Sequence, residues 1–87
     1  MAAPDTIRIL LCDDHLVLRA GLKALLDNEE DFVVVGEAST GEEAIERCGL
    51  LKPDVVVMDL SMPGMGGLEA TRQIAKEGRS KVLVLTM

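Results

Sequence analysis

Four apolar residues, Val55-Val56-Val57-Met58, lead into a single carboxylate, Asp59, and a loop rich in proline and glycine follows at once, Met62-Pro63-Gly64-Met65-Gly66-Gly67. A continuous apolar run fenced by Pro53 and by the glycine cluster predicts a strand buried on both faces. A parallel sheet puts such a strand at its centre and puts ligands at the carboxyl ends of its strands. Asp59 then stands where an open α/β sheet does its chemistry. Taken alone, the same stretch also fits a carboxylate that merely starts a turn.

The rest of the chain alternates strand and helix around that run. Ile7 to Cys12 is rich in β-formers and stops at Asp13-Asp14, a first strand. His15 to Asn28 has helical spacing, with Leu18, Gly21, Leu22 and Leu25 on one face and Arg19, Lys23 and Asp27 opposite. Phe32 to Ala38 is a second strand. Ser39 and Thr40, with Glu42 and Glu43 three residues later, form a capping box that opens a helix with Ala44, Ile45, Cys48 and Leu51 as its apolar face. Gly67 to Lys76 makes a third helix, with Leu68, Thr71, Ile74 and Ala75 inward and Gly78 ending it, and Lys81 to Thr86 a fourth strand. The order β-α-β-α-β-α-β with right-handed crossovers gives an α/β, doubly wound parallel sheet. Residues 1–87 form one small domain, and the last apolar strand has nothing after it to cover it, so the sheet is expected to be incomplete at its C-terminal side.

Charge and cysteine usage narrow the function classes. A formal net charge of -6 argues against this segment gripping nucleic acid or an anionic membrane. Cys12 and Cys48 are too few and too far apart for a disulfide framework or a zinc site, so buried free thiols and a reducing, cytoplasmic setting are expected. No stretch has the length of a membrane span.

Three features end at one edge of the expected sheet: Asp13-Asp14 after strand one, Asp59 after strand three and Thr86 closing strand four. Each has a bland reading, as a solvated turn with an N-cap or a β-former in a strand. Together they bring three carboxylates and a hydroxyl to one place. Like charges so close raise one another's pKa unless a cation sits among them. Mg²⁺ suits oxygen ligands and keeps several waters, and a carboxylate beside it can attack phosphorus to give an aspartyl phosphate. His15 is read as opening the first helix, with no catalytic or metal role. Met58, Met62 and Met65 are read as core filler.

With these residues in hand, the chain resembles the receiver domain of a two-component response regulator. The resemblance rests on Asp13-Asp14, the strand ending in Asp59, the Met62 to Gly67 loop and Val82-Leu83-Val84-Leu85-Thr86. Asp13-Asp14-His15 with Arg19, Gly21 and Leu22, Gly36-Glu37-Ala38, and Leu85-Thr86-Met87 are similar to the NarL/LuxR-type subfamily. The resemblance implies a flavodoxin-like or CheY-like strand order 2-1-3-4 with the fifth strand and last two helices missing. It implies that Asp59 is the phosphoacceptor for a sensor histidine kinase and that Mg²⁺ is bound by the side chains of Asp14 and Asp59, by the backbone carbonyl of Ser61 and by Asp13 through water. Thr86 would be the switch hydroxyl. A DNA-binding helix-turn-helix follows the receiver in that subfamily. Position 66 is Gly where many members have Asp, which would weaken a helix cap, and the Lys and the switch aromatic of strand five have no counterpart here, so weak Mg²⁺ binding and slow or absent phosphorylation are expected. The open fourth strand, Val82 to Thr86, is expected to join copies of the chain. Two alternatives also use this layout. A Mg²⁺-dependent haloacid-dehalogenase-type phosphohydrolase would want a second Asp where Ser61 stands, and a flavodoxin-type binder would want a phosphate-cradling loop after strand one.

Overall fold

The central strand is flanked as its apolar composition demands. The computed structural model describes residues 5–85. It has β1 (Ile7–Cys12), α1 (Leu16–Asp27), β2 (Phe32–Ala38), α2 (Gly41–Leu51), β3 (Val55–Asp59), α3 (Gly66–Glu77) and β4 (Lys81–Leu85). The strands form one parallel sheet in the order β2-β1-β3-β4, as expected. In β3, Val56, Val57, Met58 and Asp59 are all buried, the signature of a strand covered on both faces.

Alternation along β1 divides the core. Leu10 and Cys12 point to one side, where α2 and α3 lie, and pack with Ala44, Cys48, Val56, Met58, Ala70 and Ile74. Ile9 and Leu11 point to the other with Val57, where Leu22 and Leu26 of α1 cover them. Met58 and Met62 are buried as core filler, and Cys12 and Cys48 are buried free thiols.

The capping box over Ser39 to Glu43 forms as read. The Glu43 amide donates to Thr40 Oγ1 at 3.1 Å, and Glu43 Oε1 accepts from the Ser39 amide at 2.9 Å and its hydroxyl at 2.7 Å.

Two helix faces differ from those read from spacing. In α1 the inward positions are Arg19, Leu22 and Leu26, while Leu25 is exposed along with Leu16 and Val17. Arg19 turns inward because the carbonyls of Asp13 and Ala38 accept from its guanidinium at 2.8 and 3.4 Å, which rotates the helix about its axis. In α3 the buried residues are Gly67, Ala70 and Ile74, with Leu68 and Ala75 exposed. Here the helix starts in backbone contact with the end of β3, which leaves no room for a side chain at Gly67. Gly66 has φ +83, so glycine at this position relieves left-handed strain rather than weakening a cap. Thr86 lies outside the described residues.

Candidate functional site

The carboxyl ends of β1 and β3, adjacent in the sheet, deliver three carboxylates to one point. Asp13 and Asp59 are 3% and 5% exposed, so both sit in the floor of the site, with the more exposed Asp14 at its rim. One ligand atom from each of Asp13, Asp14, His15 and Asp59 lies within 4.8 Å of the others. These are hard oxygen donors around one small space, with one imidazole, a set that one divalent cation fits.

His15, read from sequence only as a helix opener, does take the N-cap position of α1, but its ring lies in this cluster. Its Nδ1 is 3.0 Å from Asp13 Oδ1, 3.2 Å from Asp14 Oδ1 and 3.7 Å from Asp59 Oδ2. The hydrogen bond to Asp13 and the charge of Asp14 raise its pKa above the ordinary value.

Asp59 is held asymmetrically. Its Oδ1 accepts from the Ser61 amide at 3.0 Å and the Ser61 hydroxyl at 2.9 Å, while Oδ2 faces His15. Burial pushes its pKa up, but the two Ser61 donors and the charge of His15 outweigh burial and hold the carboxyl below its usual range. The upward shift expected from crowded carboxylates is therefore reversed at Asp59, by local donors. Ser61 is thus beside Asp59 through its amide and hydroxyl.

Two further residues support the site, and spacing had assigned neither to it. Arg19 donates to the Asp13 carbonyl, and its Nε pairs with Glu37 Oε1 at 3.0 Å, so it ties the end of β1 to the end of β2. Glu42, at the start of α2, accepts from the Met65 amide at 3.2 Å and lies against Gly64, where a Cβ would come 2.6 Å from Oε1. It clamps the loop that follows Asp59. Arg19 was legible only through the subfamily resemblance and Glu42 only as a member of the capping box, because its partner Met65 is 23 residues away.

A four-stranded parallel sheet with an acidic cluster at the carboxyl ends of two adjacent strands defines a doubly wound α/β domain, a class that binds ligands at that edge. The response regulator receiver domain family matches residues 9–87. The chain is 50% identical over 82 residues to the response regulator UvrY of Escherichia coli K12, covering 93% of this chain and 38% of that protein. It is 51% identical over 81 residues to the transcriptional regulatory protein LiaR of Bacillus subtilis 168, covering 92% and 38%. Among solved structures, a LuxR-family two-component response regulator from Aurantimonas sp. SI85-9A1 superposes with TM-score 0.88 at 43% identity, covering 94% of this chain and 59% of that one. The response regulator domain of Thermotoga maritima CheB gives TM-score 0.89 at 41% identity, covering 93% and 60%. The chain belongs to the response regulator receiver domain family, as a receiver of the two-component type with LuxR-family relatives. It spans 38% of the length of these curated relatives. The relatives support the receiver reading over the haloacid-dehalogenase-type alternative. No helix among the described residues is long and apolar enough to cross a membrane.

Proposed function

We propose that Asp59 is the phosphoacceptor of this chain, taking a phosphoryl group from the phosphohistidine of a sensor histidine kinase, and that the chain regulates rather than catalysing a reaction on another substrate. The observation that supports this most is the meeting of Asp13, Asp14 and Asp59 at one edge of the sheet. Held below its usual range, the Asp59 carboxyl is ionised at neutral pH, the state in which a carboxylate can act as a nucleophile. The new P–O bond forms as the donor's P–N bond breaks, and the departing imidazole nitrogen takes up a proton. Phosphoryl transfer asks mainly for positioning and charge neutralisation.

In this reading the side chains of Asp14 and Asp59 and the Ser61 carbonyl would hold Mg²⁺, with Asp13 acting through water, and the bound ion would neutralise charge on the transferring group. Thr86 then serves as the switch hydroxyl. In the same reading the receiver controls a DNA-binding helix-turn-helix domain, in a cytoplasmic setting. The added charge biases a two-state surface, the general logic of such switches.

Acetyl phosphate with Mg²⁺, followed by intact-mass measurement, tests the reading. The expected result is a single added phosphoryl group, dependent on Mg²⁺ and absent in Asp59→Asn. Equal phosphorylation of Asp59→Asn would sink it.

A further inference from the structure

His15 is the member of the cluster that a magnesium site does not need. Its Nδ1 stands 3.0, 3.2 and 3.7 Å from oxygens of Asp13, Asp14 and Asp59. Two ligands bound cis to one ion at about 2.1 Å are about 3.0 Å apart in an octahedron and about 3.4 Å in a tetrahedron. The three His15 distances bracket those values. All four donors lie within 4.8 Å, little more than the roughly 4.2 Å that spans such a coordination sphere. The ring is also anchored. The His15 amide donates to Asp13 Oδ1 at 2.7 Å, and its backbone is extended at the N-cap of α1. A cation could thus gain the imidazole by exchanging one hydrogen bond for a metal bond, with the backbone left in place.

We infer that His15 is a fourth side-chain ligand that widens the metal range of this site, admitting imidazole-preferring divalent ions such as Co²⁺ and Zn²⁺ through one nitrogen and the carboxylates. Mg²⁺, a hard ion that keeps oxygen ligands and waters, makes no use of the nitrogen, so His15 sets selectivity and not magnesium affinity. This deepens the proposed function and rests on its metal site.

The test is calorimetric titration of the full chain at pH 8 with Co²⁺ alone and with Mg²⁺ alone, in wild type, His15→Ala, His15→Gln and Asp59→Asn. Both His15 variants are expected to weaken Co²⁺ binding at least about tenfold and to change Mg²⁺ binding less than about twofold. Electron spin-echo measurement on the Cu²⁺-loaded chain, an imidazole-preferring ion, is expected to show coupling to an imidazole nitrogen that the His15 variants lack. Co²⁺ affinity that is unchanged or higher in both His15 variants would overturn the inference and leave His15 as a counter-charge to the carboxylates. Failure of the underlying site has a different mark: Asp59→Asn would leave Mg²⁺ affinity untouched. A wild-type chain that binds neither ion overturns both.

Discussion

A Cβ placed on Gly67 would lie 2.2 Å from the carbonyl oxygen of Asp59 and 2.7 Å from the Leu60 Cα. Helix α3 therefore begins in backbone contact with the strand end that presents the central carboxylate. Neither backbone can move without displacing Asp59 or unwinding the first turn of α3. Gly67→Ala is expected to cost about 1–3 kcal/mol, in the range of overpacked cores, and to weaken metal binding at the same time. At Gly66 a Cβ meets nothing within 4 Å, but φ is +83. Gly66→Ala is expected to cost only the left-handed penalty of about 1–2 kcal/mol, and Gly66→Asn less. Urea denaturation of the three variants, with Mg²⁺ titration alongside, checks the order.

Arg19 is the strut between β1 and β2. Its side chain is 16% exposed, and its guanidinium holds the carbonyls of Asp13 and Ala38 and the Glu37 carboxylate. Arg19→Met removes charge-assisted hydrogen bonds and leaves the Asp13 carbonyl short of a donor, an expected loss of roughly 2 kcal/mol. Lys23→Met breaks a pair of similar length with Asp27, 2.9 Å, but on the open surface of the same helix. There solvent screens the pair, and the expected loss is much smaller than at Arg19. Equal losses in denaturant midpoints would remove Arg19 from the support of the site.

The contrast between those two residues shows where the sequence was readable. Strands were legible because their apolar runs end at sharp punctuation: Cys12 before Asp13-Asp14, Asp59 before the glycine loop. The sheet order follows from crossover handedness once the strands are known. Asp13, Asp14 and Asp59 could be brought together on paper because parallel strands share one carboxyl edge. Helix faces were less legible. Apolar spacing put Arg19 outside and Leu25 inside α1, whereas two carbonyls at the sheet edge draw Arg19 inward. The rotation of α3 depends on how closely Gly67 meets Asp59, a contact between backbones that side-chain patterning does not encode. The reversed pKa direction at Asp59 has the same origin, since a backbone amide supplies one of its donors.

Stability in metal-free buffer should rise and then fall with pH. Glu43 is lowered from its ordinary 4.5 by the Ser39 amide and hydroxyl, and Asp27 from 3.8 by Lys23 and the Val34 amide. The stability tied to these carboxylates is fully present above their unfolded values and is lost as pH falls through the folded ones. His15 works in the opposite sense. Its pKa is raised above 6.5 by Asp13 and Asp14, so its contribution is full below 6.5 and is lost as pH rises through the folded value. Urea midpoints across pH should therefore dip on the acid side and decline gently above neutrality. Glu43→Gln should flatten the acid limb, and His15→Ala should abolish the alkaline decline.

Cys12 is expected to be chemically silent in the folded chain. Burial, with a smaller contribution from Cys48, pushes its thiol up to about 12. At pH 8 only about one molecule in 10⁴ then has the reactive thiolate. Iodoacetamide should label Cys12 in the native state far more slowly than a free thiol, and at the normal rate once urea unfolds the chain. Prompt native labelling would mean that the core around Cys12 opens readily.

The outer edge of β4 pairs with no strand among the described residues, and Leu83 and Val84, which alternate to opposite faces, are 57% and 39% exposed. A strand edge with free amides and carbonyls and apolar residues on both faces is a template for a second chain. Opposing this is a net charge of -6, which repels copies of the chain. Salt decides between the two effects, because it screens repulsion beyond about 10 Å at 0.1 M and leaves apolar and backbone contacts intact. This chain is therefore expected to self-associate at high concentration, more strongly as NaCl is raised, by light scattering. Leu83→Lys adds a charge to the edge and should return it to monomer. Association that weakens with salt would point to charge pairing instead of the β4 edge, and a clean monomer at every salt concentration would remove the edge from consideration.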